Sequence, residues 1–156
     1  GYFRPGFFSY GMHVLDGMML GATPDGRLAG EPVSNSSSPV NGTERNGLIG
    51  VLNSNSRLPY EKISNGSSLN IRLSPSMFAT AERKEKFIAF LKSFVINNNM
   101  HMQINVVDSA TLKDAQQRPQ MYADMVVRVS GYSAYFNDLG RPVQDDIIRR
   151  TQFESY

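Results

Sequence analysis

Apolar residues recur with two different periods along the chain, and each period predicts a type of secondary structure. The clearest helical stretch is 80–96, in which Phe87, Phe90 and Phe94 fall on one apolar stripe. Residues 100–107 alternate instead between apolar and polar side chains, which is the period of a strand. The centre of the chain is therefore expected to contain an amphipathic helix followed by a half-buried strand.

Further elements are predicted on both sides of this pair. Residues 69–73 alternate as a half-buried strand should, and 108–117 are expected to form a helix that Asp108 caps. β-branched residues at 125–129 predict another strand, and 142–151 predict a final helix. Because the 108–117 helix lies between two strands, those strands are expected to be parallel neighbours, and the fold class is α/β.

The first third of the chain is expected to be irregular. Residues 23–27 have the composition of a tight turn, and 30–47 are rich in Asn, Ser, Pro and Gly. A loop of this length is uncommon in a compact domain, and is usually functional or packed against another element. Residues 48–58 could then form a short helix or a strand.

Composition limits the functions that the chain can have. Its 156 residues fit one domain, and they include no cysteine, so thiolate metal sites and a cysteine nucleophile within the chain are excluded. The formal net charge of +2 is scattered, which argues against binding to nucleic acid, and no apolar run is long enough for a membrane span. The two histidines, His13 and His101, are too far apart in sequence for a helical metal motif.

Residues 128–132, with the sequence Arg-Val-Ser-Gly-Tyr, carry a resemblance to a known family. The run resembles the radical loop of the glycyl radical enzymes. This family includes pyruvate formate-lyase, glycerol and choline-type dehydratases and lyases, and the succinate synthases that add hydrocarbons to fumarate. Further segments agree with the family in order along the chain: 21–27, 64–70, 101–116 and 144–151.

The resemblance implies that Gly131 stores an unpaired electron on its Cα. A carbon radical is most stable when planar, with an electron-donating amide nitrogen on one side and an electron-withdrawing carbonyl on the other, and a Cβ would interfere with that arrangement. In the family this radical takes a hydrogen atom from a cysteine on a second loop, and the resulting thiyl radical attacks the substrate. Because the chain has no cysteine, that residue is expected on an N-terminal part of the same enzyme or on a large subunit.

The family also implies an architecture and a set of partners. The chain is expected to be the C-terminal part of a ten-stranded α/β barrel, with 1–35 as the trailing edge of the main barrel domain and 36–156 as the glycine radical domain. No cofactor is expected to be bound. An activating enzyme with S-adenosylmethionine and an iron–sulfur cluster would install the radical, and a small molecule would be the substrate. A cytoplasmic location and sensitivity to oxygen are expected as well.

Several alternatives remain open at the level of sequence. The chain could be a fragment of such an enzyme, a split subunit, or a stand-alone spare part that completes a larger enzyme and has no activity by itself. A binding module that uses the polar loop at 30–47 is a third, non-enzymatic hypothesis. Residues 132–136 resemble the dehydratase, lyase and succinate-synthase branches more than pyruvate formate-lyase, so formate-lyase chemistry is the least favoured reaction.

Polar residues outside the radical loop have two interpretations each. One strand face carries His101, Gln103 and Asn105. This face could line a pocket, but the favoured interpretation is that it forms hydrogen bonds with a neighbouring element. Arg27 and Arg128 could bind a substrate carboxylate through two contacts, or could form structural ion pairs.

Overall fold

A computed structural model describes all 156 residues and contains five α-helices and five strands. In chain order these are α1 (Met12–Met19), α2 (Gly47–Asn55), β1 (Leu69–Leu73), α3 (Ala81–Ile96), β2 (Met102–Val106), α4 (Ser109–Gln117), β3 (Val126–Arg128), β4 (Ser133–Tyr135), α5 (Arg141–Arg149) and β5 (Gln152–Phe153). The predicted α/β class is confirmed. None of these helices has the length and apolar character needed to cross a membrane.

A three-stranded parallel sheet forms the centre of the fold. β1 lies between β2 and β5, and it pairs in parallel with both. All five residues of β1 are buried, whereas alternation in the sequence predicted a half-buried strand. The prediction was wrong because the second face is also covered: the Arg72 side chain donates to the carbonyl of Ile147 at 3.3 Å and to Oγ of Ser109 at 2.9 Å.

The predicted parallel pairing of 101–107 with 125–129 is also wrong. β2 pairs in parallel with β1, with α3 as the connecting helix, so the β-α-β unit lies one element earlier in the chain. β3 pairs antiparallel with β4, and Arg128 lies opposite Ser133. The chain reverses immediately after β3, and this reversal places β4 beside β3 as its only ladder partner.

Two hydrophobic clusters flank the two groups of strands. The first covers the parallel sheet and contains Leu48, Val51, Leu52, Leu69, Ile71, Leu73, Met77, Phe90 and Phe153. The second lies beneath the β3–β4 hairpin and contains Leu112, Ala115, Val127, Val129, Phe136 and Ile147. Because α4 and α5 contribute to the second cluster, the hairpin rests on its own apolar support beside the sheet.

The predicted helices form, and the predicted cap at Asp108 is confirmed, whereas the cap at Thr80 is seen only in the structure. Oγ1 of Thr80 accepts a hydrogen bond from the N–H of Arg83, at the start of α3. Oδ1 of Asp108 accepts from the N–H of Thr111 at 2.7 Å, at the start of α4. The turn at 23–27 is confirmed too. Residues 48–58 begin as a helix, which resolves the choice that the sequence left open.

Helix α1 lies in the part of the chain that was expected to be irregular. The sequence did not reveal it, because it has no side-chain cap and several of its apolar residues are exposed rather than arranged as a buried stripe. Gly17 on this helix lies so close to the next loop that an added Cβ would be 2.3 Å from the carbonyl oxygen of Glu31. The absence of a side chain at Gly17 therefore lets α1 lie directly against the polar loop. The loop in turn packs on β1 through a bridge between Ser36 and Leu69.

Candidate functional site around the Ser130–Gly131 turn

Ser130 and Gly131 form the turn that joins β3 to β4. The N–H of Val129 donates to the carbonyl of Tyr132 at 2.9 Å, and Gly131 has a φ of +88°. An added Cβ on Gly131 would lie 3.0 Å from Cε1 of Tyr10. The left-handed backbone and the neighbouring ring therefore both favour glycine at this position, independently of any chemistry.

Both main-chain polar groups of Gly131 are hydrogen-bonded by side chains. Its N–H donates to Oε1 of Gln103 at 3.0 Å, and its carbonyl accepts from Nη2 of Arg128 at 3.3 Å. Nε of Arg128 also donates to the same Gln103 oxygen at 2.8 Å. Gln103, Arg128 and the Gly131 backbone therefore form a closed ring of hydrogen bonds, which we call the Gly131 clamp.

Asn105 attaches the hairpin to the parallel sheet. Its Nδ2 donates to the carbonyl of Arg128 at 2.7 Å, and its Oδ1 accepts from the N–H of Arg128 at 2.8 Å. The side-chain amide thus takes the place of a neighbouring strand. Gln103 bonds to the turn, and Nδ1 of His101 lies 3.2 Å from the carbonyl of Ser67. The prediction that these polar residues form hydrogen bonds with neighbouring elements is therefore confirmed.

The Ser130 hydroxyl is fully buried in a cluster of polar side chains from the first third of the chain. Its Oγ lies 3.1 Å from Oγ of Ser9 and 3.1 Å from Oγ of Ser36. Ser9 in turn donates to Oδ1 of Asn35 at 3.1 Å. The turn is therefore held from two directions, by β2 on one side and by the N-terminal segment on the other.

A buried charged group continues this cluster. Nδ1 of His13 lies 3.1 Å from Oγ of Ser9, and Nε2 of His13 lies 3.1 Å from Oδ2 of Asp146. Nη2 of Arg150 donates to the same carboxylate oxygen at 3.2 Å. Nη1 of Arg150 also donates to the carbonyl of Arg128 at 3.3 Å, so this charged group contacts the strand that leads into the turn.

Burial alone would raise the pKa of Asp146, but the hydrogen bond from His13 and the positive charge of Arg150 lower it below its usual value. Burial lowers the pKa of Arg150, against the opposing effect of Asp146. Asn41 completes the set, because its Nδ2 donates to the other carboxylate oxygen at 3.1 Å. The carboxylate is thus paired with a charge and hydrogen-bonded at both oxygens, as a buried charge requires.

The turn lies within a part of the chain that is similar to known proteins. The family model described as "Glycine radical" matches residues 33–137, which include the turn and β2. The chain belongs to the glycine radical family.

Relatives in this family are enzymes of several reaction types. The chain is 41% identical over 150 residues to indoleacetate decarboxylase from Tractidigestivibacter scatoligenes, covering 94% of the chain and 17% of that protein. It is 36% identical over 156 residues to (2S)-3-sulfopropanediol dehydratase from Klebsiella oxytoca, covering 97% of the chain and 19% of that enzyme.

The fold resembles that of a solved family structure over almost its whole length. The glycerol-bound form of the B12-independent glycerol dehydratase from Clostridium butyricum superposes with a TM-score of 0.95 and 36% sequence identity. The match covers 99% of this chain but 20% of that chain. This chain therefore spans about a fifth of the length of the glycyl radical enzymes to which it is similar.

The two arginines singled out in the sequence do not form the structural ion pairs that were one of their two predicted roles. Arg27 donates to main-chain carbonyls, among them that of Glu31 at 2.6 Å, so it supports the loop after α1. Arg128 contacts Gln103, Gly131 and the hydroxyl of Ser133. Neither of them forms an ion pair.

The main clefts of this chain are not lined by the turn. A cleft of about 280 Å³ lies beside His13 and Asp146, but its lining does not include residues 128–132. No group of three His, Asp or Glu side chains is placed to hold a metal ion. The residues around Gly131 can hold and polarise its backbone, but they do not enclose a substrate.

Sequence reasoning missed the cluster of Ser9, Ser36, His13 and Asp146. A single signal was available: His13 is one of two histidines in the chain, and it stands on an otherwise apolar stretch. That signal does not show its partner, because Asp146 is separated from it by 133 positions. Only the packing of α1 on α5 brings the pair together.

We predict that Asp146→Asn lowers the free energy of unfolding by about 3 kcal/mol at neutral pH, because it leaves the buried Arg150 charge without its partner. The matched control is Asp145→Asn, which breaks a surface pair with Arg141 and should change stability by at most about 1 kcal/mol. Denaturant unfolding monitored by circular dichroism measures both. Equal losses in the two variants would contradict the assignment.

The effect of Asp146→Asn should also depend on pH. Since the pKa of Asp146 is lowered on folding, its stabilisation is complete above about pH 4, the usual pKa of an unfolded aspartate, and is lost as the pH falls through the lower folded value. The difference in stability between wild type and Asp146→Asn should therefore shrink as the solution is acidified below pH 4. A difference that stays constant down to pH 2 would contradict this assignment.

We predict that Gly131→Ala destabilises the chain more than Gly26→Ala does, by about 1 kcal/mol. Both glycines have positive φ, +88° and +100°, but only at Gly131 would the new methyl group meet Tyr10. Unfolding of the two variants measures the difference. Adding Tyr10→Ala to Gly131→Ala should remove most of it, and an undiminished difference would show that Tyr10 is not the cause.

Proposed function

We propose that the chain is the radical-storing portion of a glycyl radical enzyme and that Gly131 carries the radical on its Cα. The observation that supports this most directly is the matched family region, which contains a glycine turn whose two flanking amide groups are both held by side chains. The Gly131 clamp restricts the backbone on both sides of the Cα that would carry the radical. Substitution by any other residue would add a Cβ against Tyr10.

The proposed chemistry requires a cysteine that the chain does not contain. The Cα radical of Gly131 takes the hydrogen atom from a thiol, so that a C–H bond forms, an S–H bond breaks, and the unpaired electron moves to sulfur. The thiyl radical then takes a hydrogen atom from the substrate, and after reaction the steps run in reverse. The cysteine, and most of the substrate pocket, lie on the remainder of the enzyme or on a large subunit.

The architecture of that complete enzyme is part of the proposal. The sheet β2-β1-β5 would belong to a ten-stranded α/β barrel, with 1–35 as the trailing edge of the barrel domain and 36–156 as the glycine radical domain. The hydrogen bonds between Ser9 and Ser130 and between His13 and Asp146 would then connect the two domains.

Formation of the radical needs a second protein. A hydrogen atom must be removed from the Cα of Gly131, and we assign this step to an activating enzyme of the S-adenosylmethionine iron–sulfur type. For that enzyme to reach the turn, residues 130–136 must move away from their neighbours, breaking the contacts of Ser130 with Ser9 and Ser36. Phe136 is fully buried and is the apolar anchor that this motion would disturb.

The reaction class follows from the relatives rather than from the site. A decarboxylase and dehydratases are among the similar proteins, so we propose a lyase or dehydratase reaction on a small molecule, ahead of addition to fumarate. The substrate itself is not specified by this chain, because we assign most of the substrate pocket to the remainder of the enzyme.

The radical assignment can be tested by electron paramagnetic resonance. The complete protein, incubated anaerobically with an activating enzyme of a close relative, is expected to show a doublet from one proton on the radical carbon, and Gly131→Ala is expected to abolish it. Gly26→Ala, a glycine of similar φ far from the turn in sequence, is the control and should keep the doublet. A doublet that survives Gly131→Ala would remove the assignment.

A stand-alone spare part is the second candidate function. It is favoured by the two hydrophobic clusters, which give the chain an apolar core of its own. The gene discriminates between the candidates: a reading frame that starts near Gly1, with a cysteine-bearing neighbour, supports the spare part, whereas hundreds of upstream in-frame codons support a fragment. In either case the isolated 156-residue chain is expected to turn over no substrate, and turnover without a partner would contradict both.

A further inference from the structure

Gln103 and Arg128 contact the two main-chain groups on either side of the Gly131 Cα and leave the carbon itself untouched. We propose that they act as positioning residues that set the electronic properties of the radical, by polarising the amide on each side of it. This inference rests on the proposed function, since it needs the radical to form at Gly131.

The chemical argument depends on the direction of each hydrogen bond. Oε1 of Gln103 accepts from the Gly131 N–H, and this makes the nitrogen richer in electrons and a better donor to the radical carbon. The guanidinium of Arg128 donates to the Gly131 carbonyl, and this makes that group a stronger acceptor of electron density. Delocalisation requires both amide planes to be coplanar with the radical carbon, so the Gly131 backbone must rotate from its φ of +88° once the hydrogen atom is removed. In that planar arrangement both contacts act in the same sense, and both delocalise the unpaired electron away from the Cα.

The orientation of the Gln103 amide is fixed by its surroundings. Two donors, Nε of Arg128 and the N–H of Gly131, point at the same position, so that position must hold the oxygen. The other end, Nε2, is buried and has no hydrogen-bond partner within this chain. All the hydrogen bonding of this side chain is therefore directed to the Gly131 clamp.

Other contacts hold the hairpin in place, so an electronic role of Gln103 can be distinguished from a structural one. Asn105 already holds the Arg128 backbone, and the Val129–Tyr132 hydrogen bond already closes the turn. Loss of the Gln103 oxygen should therefore leave the hairpin folded but change the electron distribution at Gly131. A purely structural role would change how much radical forms without changing its spectrum.

The test uses the activated complete protein and compares Gln103→Met, Gln103→Glu and the control Ser133→Ala. The methionine has a similar length but no oxygen acceptor, the glutamate keeps the acceptor, and Ser133→Ala removes a contact of Arg128 that does not involve Gly131. Two quantities are measured: the proton splitting of the doublet, and the lifetime of the radical without oxygen. Thermal unfolding by circular dichroism shows whether each variant is folded.

For Gln103→Met we expect a wider proton splitting, because more of the unpaired spin remains on the Cα. We also expect a radical lifetime that is shorter by about fivefold to tenfold, the factor that corresponds to the free energy of one hydrogen bond. Gln103→Glu should restore a splitting and a lifetime close to those of the wild type, and Ser133→Ala should change neither. If Gln103→Met does not fold, Arg128→Lys provides the second test, with a wider splitting expected because the lysine cannot occupy both guanidinium contacts.

The outcomes separate this inference from the proposed function. A folded Gln103→Met protein with a wild-type splitting and lifetime would overturn the inference, and would leave Gly131 as the radical residue. A wild-type splitting in Arg128→Lys would overturn the part assigned to Arg128. A wild-type protein that gives no doublet after activation, while a known family member is activated in parallel, would overturn the proposed function and this inference with it.

Discussion

The pairing of the Asn105 side chain with the backbone of Arg128 connects the two halves of the molecule. The parallel sheet and the β3–β4 hairpin share no ladder, so a single side-chain amide takes the place of the next strand. This contact fixes the position of Arg128, and Arg128 in turn reaches both Gln103 and the Gly131 carbonyl. The geometry of the turn therefore depends on two hydrogen bonds from a side chain of β2 and not on a backbone ladder between β2 and β3.

The hydrogen bonds of the turn itself are polar contacts, and its nearest buried apolar residue is Val129, immediately before Ser130. Ser130 is held by hydroxyl groups and Gly131 by an amide and a guanidinium, whereas Val129 is buried in the second hydrophobic cluster. Hydrogen bonds contribute about 1 kcal/mol each and depend on orientation, so they define one position sharply without adding much stability. Such a turn suits a proposed site that must be fixed during reaction and released for activation.

The buried carboxylate of Asp146 stabilises the strand that leads into the turn, through Arg150. Asp146 accepts hydrogen bonds from Arg150 and lies against His13, and Arg150 also contacts the carbonyl of Arg128. Charges at this depth are stable only when paired, so α1, α5 and β3 are held in one relative arrangement. Few apolar side chains of α1 are buried, so these polar contacts are what position the helix.

The sequence by itself determined the elements whose signals are local. Phe87 and Phe90 lie on one helical face, Asp108 caps its helix, and the polar face of β2 was expected to bond to a neighbour. These features depend on residues within a few positions of one another. The glycine turn could also be located, because the family resemblance is carried by a contiguous run at 128–132.

The tertiary structure decided which strands become neighbours and which side chains reach the turn. β2 pairs with β1 rather than with β3, whose ladder partner is the antiparallel strand β4. Ser9 and Ser130 are separated by 121 positions, and nothing in either local pattern indicates the other. Such contacts arise when separately formed elements pack together, so they depend on the fold as a whole and not on the period of any one segment.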